Sequence, residues 1–222
     1  LFGPPGNGKT SIAEAIGDGV LVAILVTHAH PDHLNGAGVL AERFDAPVRR
    51  LGNRSMTAGD AVETDAGSLV AIATPGHTAD HLAFHWPEAA AVFCGDLMMG
   101  GQDTALVAPP DGRLSPYLGS LDRVRALEPR VIHPAHGPTF DDPEAAIERY
   151  VRHREERLEQ VLDALRAGHG GSNEALREAV YGDELAEELH AVANAAIKAY
   201  LQYLQGRGRV RRLGHGWEAI GD

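Results

Sequence analysis

The sequence has a single cysteine, no long apolar segment and no excess of positive charge. One cysteine, Cys94, excludes an internal disulfide framework and a cysteine-rich zinc site, and it favours a reducing compartment. No run approaches the roughly 18 apolar residues that a membrane helix needs. The net charge of −11 argues against nonspecific nucleic-acid binding by the chain as a whole. We therefore expect a cytoplasmic protein that does not bind membranes.

Histidine is the residue type that the chain has in excess. Twelve histidines occur in 222 residues, several of them close together, whereas 44% apolar and 23% charged residues are typical of a globular protein of one or two domains. The chain begins with Leu1 and shows no secretory signal, so we expect a fragment or a processed product. We look for function in the histidine clusters.

Apolar runs bounded by glycine and proline predict an α/β arrangement in the first part of the chain. Each His/Asp cluster directly follows a predicted strand, and strand ends are where α/β proteins place their ligands and catalytic groups. The predicted strands are 20–27, 47–50, 68–74, 82–86, 91–95 and 130–133, and the predicted helices are 11–16, 33–44 and 117–127.

The sequence changes character at Asp142, which can cap a helix that has proline in its first position. Apolar residues at helical spacing predict helices over about 143–167, 172–180 and 183–204, the second of which Ser172 can cap. Residues 210–213 and 217–220 predict a β-hairpin. Three helices and a hairpin are the element order of a winged-helix domain. We therefore predict two domains, 1–142 and 143–222, and note a basic cluster at the end of the second, Arg207, Arg209, Arg211 and Arg212.

The strongest motif is H-x-H-x-D-H, formed by His28, His30, Asp32 and His33 on a loop that leaves a buried strand. Extended backbone directs His28 and His30 to the same side, because side chains alternate with period two. Imidazole and carboxylate ligands together suit zinc, and also iron or manganese. The alternative is a solvated polar loop, which does not explain four such residues so close together.

Three later residues, His77, Asp96 and His136, each follow a predicted strand and have glycine or proline beside them. A lone histidine is usually structural. Residues of this kind at the ends of four strands indicate instead a site for two divalent cations. Such a pair lowers the pKa of a bridging water toward about 7, and the resulting hydroxide attacks a carbonyl or phosphorus centre.

The segments HAHPDH, PGH, CGD and AHG together resemble those of the metallo-β-lactamase-fold hydrolases, over about residues 20–140. With the C-terminal region, including the helix segment 153–157, the chain is similar to the β-lactamase-like branch with a winged-helix domain, some members of which are endoribonucleases. The resemblance implies a four-layer αββα sandwich, here short of N-terminal strands. It also implies a first metal on His28, His30 and His77, a second on Asp32, His33 and His136, and Asp96 as the bridge.

Several other residues are weaker candidates. Asp32 could orient the nucleophile as well as bind metal, and His81 could contact substrate or support a ligand, although a structural role is equally compatible. Asp80 could brace a ligand imidazole. Tyr117 could donate a proton in the cleft, but packing in a helix explains it better, and Cys94 is expected to pack as a small apolar residue. We predict no ligand role for the remaining candidates His85, His153, His169, His190 and His215.

The N-terminal residues match the P-loop pattern G-x-x-x-x-G-K-[ST] and resemble the start of an AAA-type ATPase domain, with Gly8, Lys9 and Thr10 as the phosphate-binding residues. The context is unfavourable, because little helix follows before the histidine motif and no apolar run ending in Asp-Glu occurs downstream. We treat residues 1–17 as an atypical start of the first domain.

The leading hypothesis is therefore a hydrolase with two divalent metal ions, zinc for preference, that acts on an ester, thioester, lactam or phosphodiester. The substrate is a small molecule or RNA. A thioesterase resembling glyoxalase II is the alternative within this class. An inactive fragment with a nucleotide-binding start is the alternative outside it. The oligomeric state stays open.

Overall fold

The computed structural model describes residues 13–17, 20–101, 104–183 and 185–221. The predicted nucleotide-binding residues Gly8, Lys9 and Thr10 lie outside this part of the chain. Among the described helices, none combines the length and apolar character needed to cross a membrane.

The first β-sheet has the strand order β1-β2-β3. Strand β1 (Ala13–Gly17) pairs antiparallel with β2 (Val20–Leu25), and β3 (Val48–Arg49) pairs parallel with β2. The prediction of a helix over 11–16 is wrong for the described residues, since 13–17 form a strand. Pairing with β2 outweighs the helix propensity of the local sequence Ala-Glu-Ala-Ile.

Two short helices connect β2 to β3, where one helix was predicted over 33–44. Helix α1 (Pro31–Leu34) begins with proline, which is common at the first position of helices, and α2 (Ala37–Phe44) starts after Gly36. Asn35 and Gly36 interrupt the helix because both are poor helix formers. The break leaves α1 as a single turn that carries Asp32 and His33.

The second sheet is mixed, with strand order β4-β5-β6-β7-β8. Its first four strands pair antiparallel, and β8 runs parallel to β7, with helix α3 (Leu114–Arg125) in the connection. Strand β4 was not predicted, because it is short and mostly exposed. The strands are β4 (Ala61–Thr64), β5 (Gly67–Ala73), β6 (Leu82–Trp86), β7 (Ala91–Gly95) and β8 (Val131–Pro134).

The two sheets pack face to face between helices. Alternate residues of β2 point in opposite directions: Leu25 packs with Leu82 and Phe84 of the second sheet, while Ile24 packs with residues of α2 and its flanks. On the outer face of the second sheet, Val92 packs in a cluster that includes α3 residues. These buried clusters place helices on the outer sides of both sheets, as the predicted αββα layering requires.

The C-terminal region contains the predicted three helices and hairpin. Asp142 accepts a hydrogen bond from the backbone N–H of Ala145, and Ser172 from that of Ala175, so both predicted caps are confirmed. Helix α6 begins later than predicted, after a 3₁₀ turn. The elements are α4 (Pro143–Arg166), α5 (Asn173–Tyr181), α6 (His190–Gly206), β9 (Val210–Leu213) and β10 (Gly216–Ala219).

A single buried cluster connects the C-terminal region to the second sheet. It contains Ile132 of β8, Tyr150 of α4 and Ile197 and Tyr200 of α6. Residues on both sides of position 142 therefore share one core. The division into two domains at this point stays a prediction.

Candidate metal centre

Four chain segments bring the seven predicted ligands to one end of the sandwich. The first segment is residues 28–33, in which the loop after β2 carries His28 and His30 and α1 carries Asp32 and His33. The turns after β5, β7 and β8 supply one residue each. Together they form two groups that share one carboxylate: His28, His30, His77 and Asp96, and Asp32, His33, Asp96 and His136.

The inner group consists of three imidazoles and one carboxylate oxygen. Nδ1 of His30 lies 2.8 Å from Nε2 of His28 and 3.0 Å from Nε2 of His77. Oδ2 of Asp96 lies 3.7 Å from Nε2 of His77. The ligand atoms lie within 4.8 Å of one another, which is close enough for them to bind one cation together.

The outer group uses the second oxygen of Asp96. Oδ1 of Asp96 lies 3.3 Å from Nε2 of His33 and 3.6 Å from Nε2 of His136. Oδ2 of Asp32 lies 3.2 Å from Nε2 of His136. Because each oxygen of Asp96 faces a different group, this carboxylate can bridge two cations.

The residues fit a metal pair on two counts. Oδ1 of Asp96 is buried and accepts no hydrogen bond within the described residues, which is costly for a carboxylate unless a cation lies beside it. The donor set, imidazole nitrogen with carboxylate oxygen, is the one that zinc and similar divalent ions bind. The inner group is mostly buried, whereas the side chain of Asp32 is 46% exposed, so the outer group faces solvent.

Burial sets the charge state of the ligands. Burial, followed by the neighbouring His81 and His33, holds the pKa of His28 far below its usual range. Burial also lowers the pKa of His77. Burial alone would raise the pKa of Asp96, but His33, His28 and His136 outweigh it and leave this pKa well below the usual value. At neutral pH His28 and His77 are therefore neutral and Asp96 is ionised, as metal binding requires.

Oxygen atoms behind the ligands hold the imidazole rings in place. The Thr27 hydroxyl lies 3.0 Å from Nδ1 of His28 and 3.4 Å from Nδ1 of His33. Nδ1 of His77 donates to the carbonyl of Leu106 at 2.8 Å. A proton on each Nδ1 leaves Nε2 free for a cation. Neither Thr27 nor Leu106 was predicted to have a role. The position of Thr27 next to the motif was the one available signal, since a backbone carbonyl leaves none in the sequence.

His81 lies behind the centre and not in the cleft. Its ring is fully buried, Nε2 accepts a hydrogen bond from the backbone N–H of Asp96 at 3.1 Å, and Nδ1 lies 2.8 Å from the Thr74 hydroxyl. Burial lowers the pKa of His81 to about 3, so the ring is neutral. The prediction that His81 acts as a catalytic group does not fit this geometry, because a buried ring with both nitrogens engaged cannot reach substrate.

The other weak candidates also lie away from the centre. Asp80 accepts a hydrogen bond from the Thr78 hydroxyl, so the structure shows a different contact from the predicted one to a ligand imidazole. Tyr117 is fully buried and donates to the carbonyl of Leu97. Cys94 packs in the core, where burial raises the pKa of its thiol to about 12. Within the described residues, neither ligand group includes the histidines excluded above: His85, His153, His169, His190 and His215.

A cavity of about 320 Å³ adjoins the inner group at His30 and His77. The loop that contains Leu106 and continues to Asp111 forms one wall. The first two turns of α6 form another, so the C-terminal region takes part in the surroundings of the centre. The loop contributes Ala108, Pro109 and Pro110 besides Leu106 and Asp111, and α6 contributes Ala191, Val192 and Ala195.

Comparison with known proteins places these features in a family. The family model of the Metallo-beta-lactamase superfamily matches residues 3–63 and 51–136. The chain is 34% identical over 149 residues to the lactamase-like protein nscB of Aspergillus fumigatus, which covers 64% of this chain and 44% of that protein. It is 29% identical over 175 residues to the beta-lactamase-like protein 2 homolog of Caenorhabditis elegans, covering 72% and 57%. The chain spans about half the length of the curated relatives it matches.

Solved structures agree on the fold. A metallo-beta-lactamase family protein from Thermus thermophilus has a TM-score of 0.75 at 23% identity, covering 90% of this chain and 80% of that one. A beta-lactamase domain protein from Burkholderia ambifaria has a TM-score of 0.78 at 22% identity, covering 90% and 74%. Both structural matches extend beyond residue 142, since each covers 90% of the chain.

Proposed function

Because the chain belongs to the metallo-beta-lactamase superfamily, we propose that it is a hydrolase whose seven convergent His and Asp side chains hold two divalent cations. The observation that carries the proposal is Asp96, whose two oxygens face separate groups of ligands. Two cations held there would lower the pKa of a water between them and stabilise negative charge that develops on the substrate. No serine or cysteine nucleophile is then required.

Asp32 is the residue that we assign to the nucleophilic water. Its carboxylate is half exposed at the open side of the centre, and its Oδ2 lies between His33 and His136. It can accept a hydrogen bond from water and orient it toward a bound carbonyl or phosphorus centre. Asp96, by contrast, is buried and keeps the two ligand groups at a fixed separation.

Zinc is the metal that the inner group favours. Three imidazole nitrogens and one carboxylate oxygen match the preferred ligands of zinc, although iron and manganese accept the same atoms. The single thiol, Cys94, is buried and takes no part in binding. A lone reduced cysteine supports a cytoplasmic location.

We also assign residues 143–222 to a winged-helix unit, on the basis of their element order. Helices α4, α5 and α6 are followed by the β9–β10 hairpin. The basic cluster is partly neutralised there, since Arg211 pairs with Glu218 at 2.7 Å. This pairing weakens the case for an RNA-binding wing.

Hydrolysis with and without metal tests the proposed function. The purified chain is assayed on a thioester, a lactone, a β-lactam and single-stranded RNA, before and after chelation and after zinc is restored. We expect hydrolysis of at least one substrate that is lost on chelation and returns with zinc. His30→Ala is expected to abolish this activity, while the control His169→Ala, an exposed histidine far from the ligand groups, retains it. Activity that survives both chelation and His30→Ala would contradict the proposal.

A further inference from the structure

The cavity beside His30 and His77 has a lining that differs in chemistry from the metal centre next to it. Apart from these two histidines, its described lining residues are apolar except for Asp111, and none is lysine or arginine. The cavity therefore offers one carboxylate and no cation of its own. A polyanionic chain such as RNA needs basic side chains along its backbone, and this lining does not provide them.

Two large apolar side chains are left in contact with water at this cavity. Leu106 is 41% exposed and Val192 is 43% exposed, and both lie in the lining. Exposed apolar side chains that share a concave surface beside a reactive centre gain free energy when an apolar group covers them. The volume of about 320 Å³ is at the lower end of the range for small-molecule sites.

Helix α6 contributes one face to the cavity. Ala195 lies one helical turn after Ala191 and Val192, so the three share a face, whereas Ala193, Ala196 and Ile197 of the same helix are buried in the core. Alanine at positions 191 and 195 leaves room that a larger side chain would fill. The size of these α6 side chains therefore limits what the cavity can hold.

We propose that this cavity binds an uncharged apolar acyl group of an ester or thioester substrate, and that Val192 and Ala195 determine the length of acyl chain accepted. The proposal rests on the proposed function, because the acyl carbonyl must lie at the adjoining ligand group. In the reaction, water adds its oxygen to the carbonyl carbon and the bond to the leaving oxygen or sulfur breaks. One proton passes to the leaving group, and the acid product releases another.

The first experiment measures kcat/KM for acetyl, butyryl and octanoyl thioesters with the zinc-loaded chain. We expect the wild type to prefer the longer acyl groups. In Ala195→Leu the added side chain occupies the cavity, so the ratio of kcat/KM for the octanoyl substrate to kcat/KM for the acetyl substrate falls about tenfold or more. Val192→Ala removes two methyl groups and shifts the preference toward the octanoyl substrate. The matched control Val39→Ala, an exposed helical valine outside the cavity, leaves all three values unchanged.

The second experiment measures binding at the cavity independently of hydrolysis. Titration calorimetry measures binding of octanamide, an uncharged apolar amide, with acetamide as the short-chain comparison. We expect octanamide to bind the wild type and Val39→Ala equally and Ala195→Leu about tenfold more weakly. Octanamide binding of this pattern without hydrolysis of the thioester, the lactone, the β-lactam or RNA would contradict the hydrolase function and leave the apolar subsite standing.

Two results would contradict the proposal that the cavity binds an acyl group. One is thioester hydrolysis that is independent of acyl length and of Ala195→Leu, together with no octanamide binding; the hydrolase function would then stand without it. The other is cleavage of single-stranded RNA with no hydrolysis of any thioester and no octanamide binding, which would assign the centre to phosphodiesters.

Discussion

The backbone N–H of Asp96 donates a hydrogen bond to Nε2 of His81 at 3.1 Å, so a buried neutral imidazole fixes the carboxylate shared by both ligand groups. The Thr74 hydroxyl lies at the other nitrogen of the same ring. His81 therefore holds Asp96 from behind the ligand groups, although its own ring is buried and does not reach the cleft. This relationship makes His81 a positioning residue.

Replacing His81 with alanine is expected to weaken metal binding without removing a ligand. The variant leaves the buried N–H of Asp96 without its acceptor, which costs about 1–3 kcal/mol of folding free energy, and it loosens the bridge. Loss of such a supporting contact typically lowers metal affinity about 10- to 100-fold. Competition with a zinc chelator measures the affinity. His81→Gln, whose side-chain oxygen can accept from Asp96, is expected to recover part of it, and affinity equal to wild type in His81→Ala would contradict the assignment.

Substituting Gly95 tests how closely the chain passes the centre. Gly95 has φ of +53°, and a Cβ there would lie 2.7 Å from Nε2 of His81 and 2.9 Å from Cβ of Thr27. Gly95→Ala is expected to destabilise the fold by about 1–2 kcal/mol from backbone strain alone, and to lower metal affinity because the next residue is Asp96. Urea denaturation measures the first effect. Gly119→Ala, in α3 with open space around it, is the control and is expected to be neutral or slightly stabilising.

Arg154 links the C-terminal helices to the loop behind His77. Its buried guanidinium donates to the carbonyl of Ala105 and to the Tyr200 hydroxyl, and it lies over the Tyr117 ring at 5.1 Å. Ala105 precedes Leu106, whose carbonyl accepts from His77.

Arg154→Met leaves the Ala105 carbonyl and the Tyr200 hydroxyl without their buried donor, which is expected to lower the free energy of unfolding by about 1–3 kcal/mol for each. The loop whose Leu106 carbonyl holds the His77 ring is then expected to be less well fixed. Arg154→Lys cannot reach both partners as a planar guanidinium does, so it should rescue little. Thermal unfolding and zinc affinity measure the two effects. The control Arg152→Met removes an exposed ion pair with Glu148 at 3.8 Å and is expected to change stability by less than about 1 kcal/mol.

Stability of the metal-free chain is expected to fall in acid because of His81. Burial holds the pKa of His81 at about 3 in the folded chain, whereas the pKa of a solvent-exposed histidine, as in the unfolded chain, is 6.5. Between these values the unfolded chain binds a proton that the folded chain excludes, so the free energy of unfolding decreases as the pH falls from 6.5 toward 3. Urea denaturation across this range measures the slope. His81→Gln should show a shallower slope, and an identical slope would contradict the assignment.

Residues with a strong local signal were predicted well from the sequence. The H-x-H-x-D-H motif, the strand before it, the strands β6 and β7, and the caps Asp142 and Ser172 all depend on short-range patterns. The positions that were missed depend on long-range contacts. Strand β1 forms because β2 offers it a partner, and β4 is too short to show periodicity. The inward orientation of His81 and the carbonyl of Leu106 follow from packing that no local pattern encodes.

Metal content per chain, measured by elemental analysis, tests the bridging role of Asp96 most directly. We expect about two equivalents of zinc in the wild type. His136→Ala should lose the outer equivalent and keep the inner one, whereas Asp96→Ala should lose most of both, because one carboxylate serves both groups. Fewer than one equivalent in the wild type, or full occupancy in Asp96→Ala, would contradict this role of Asp96.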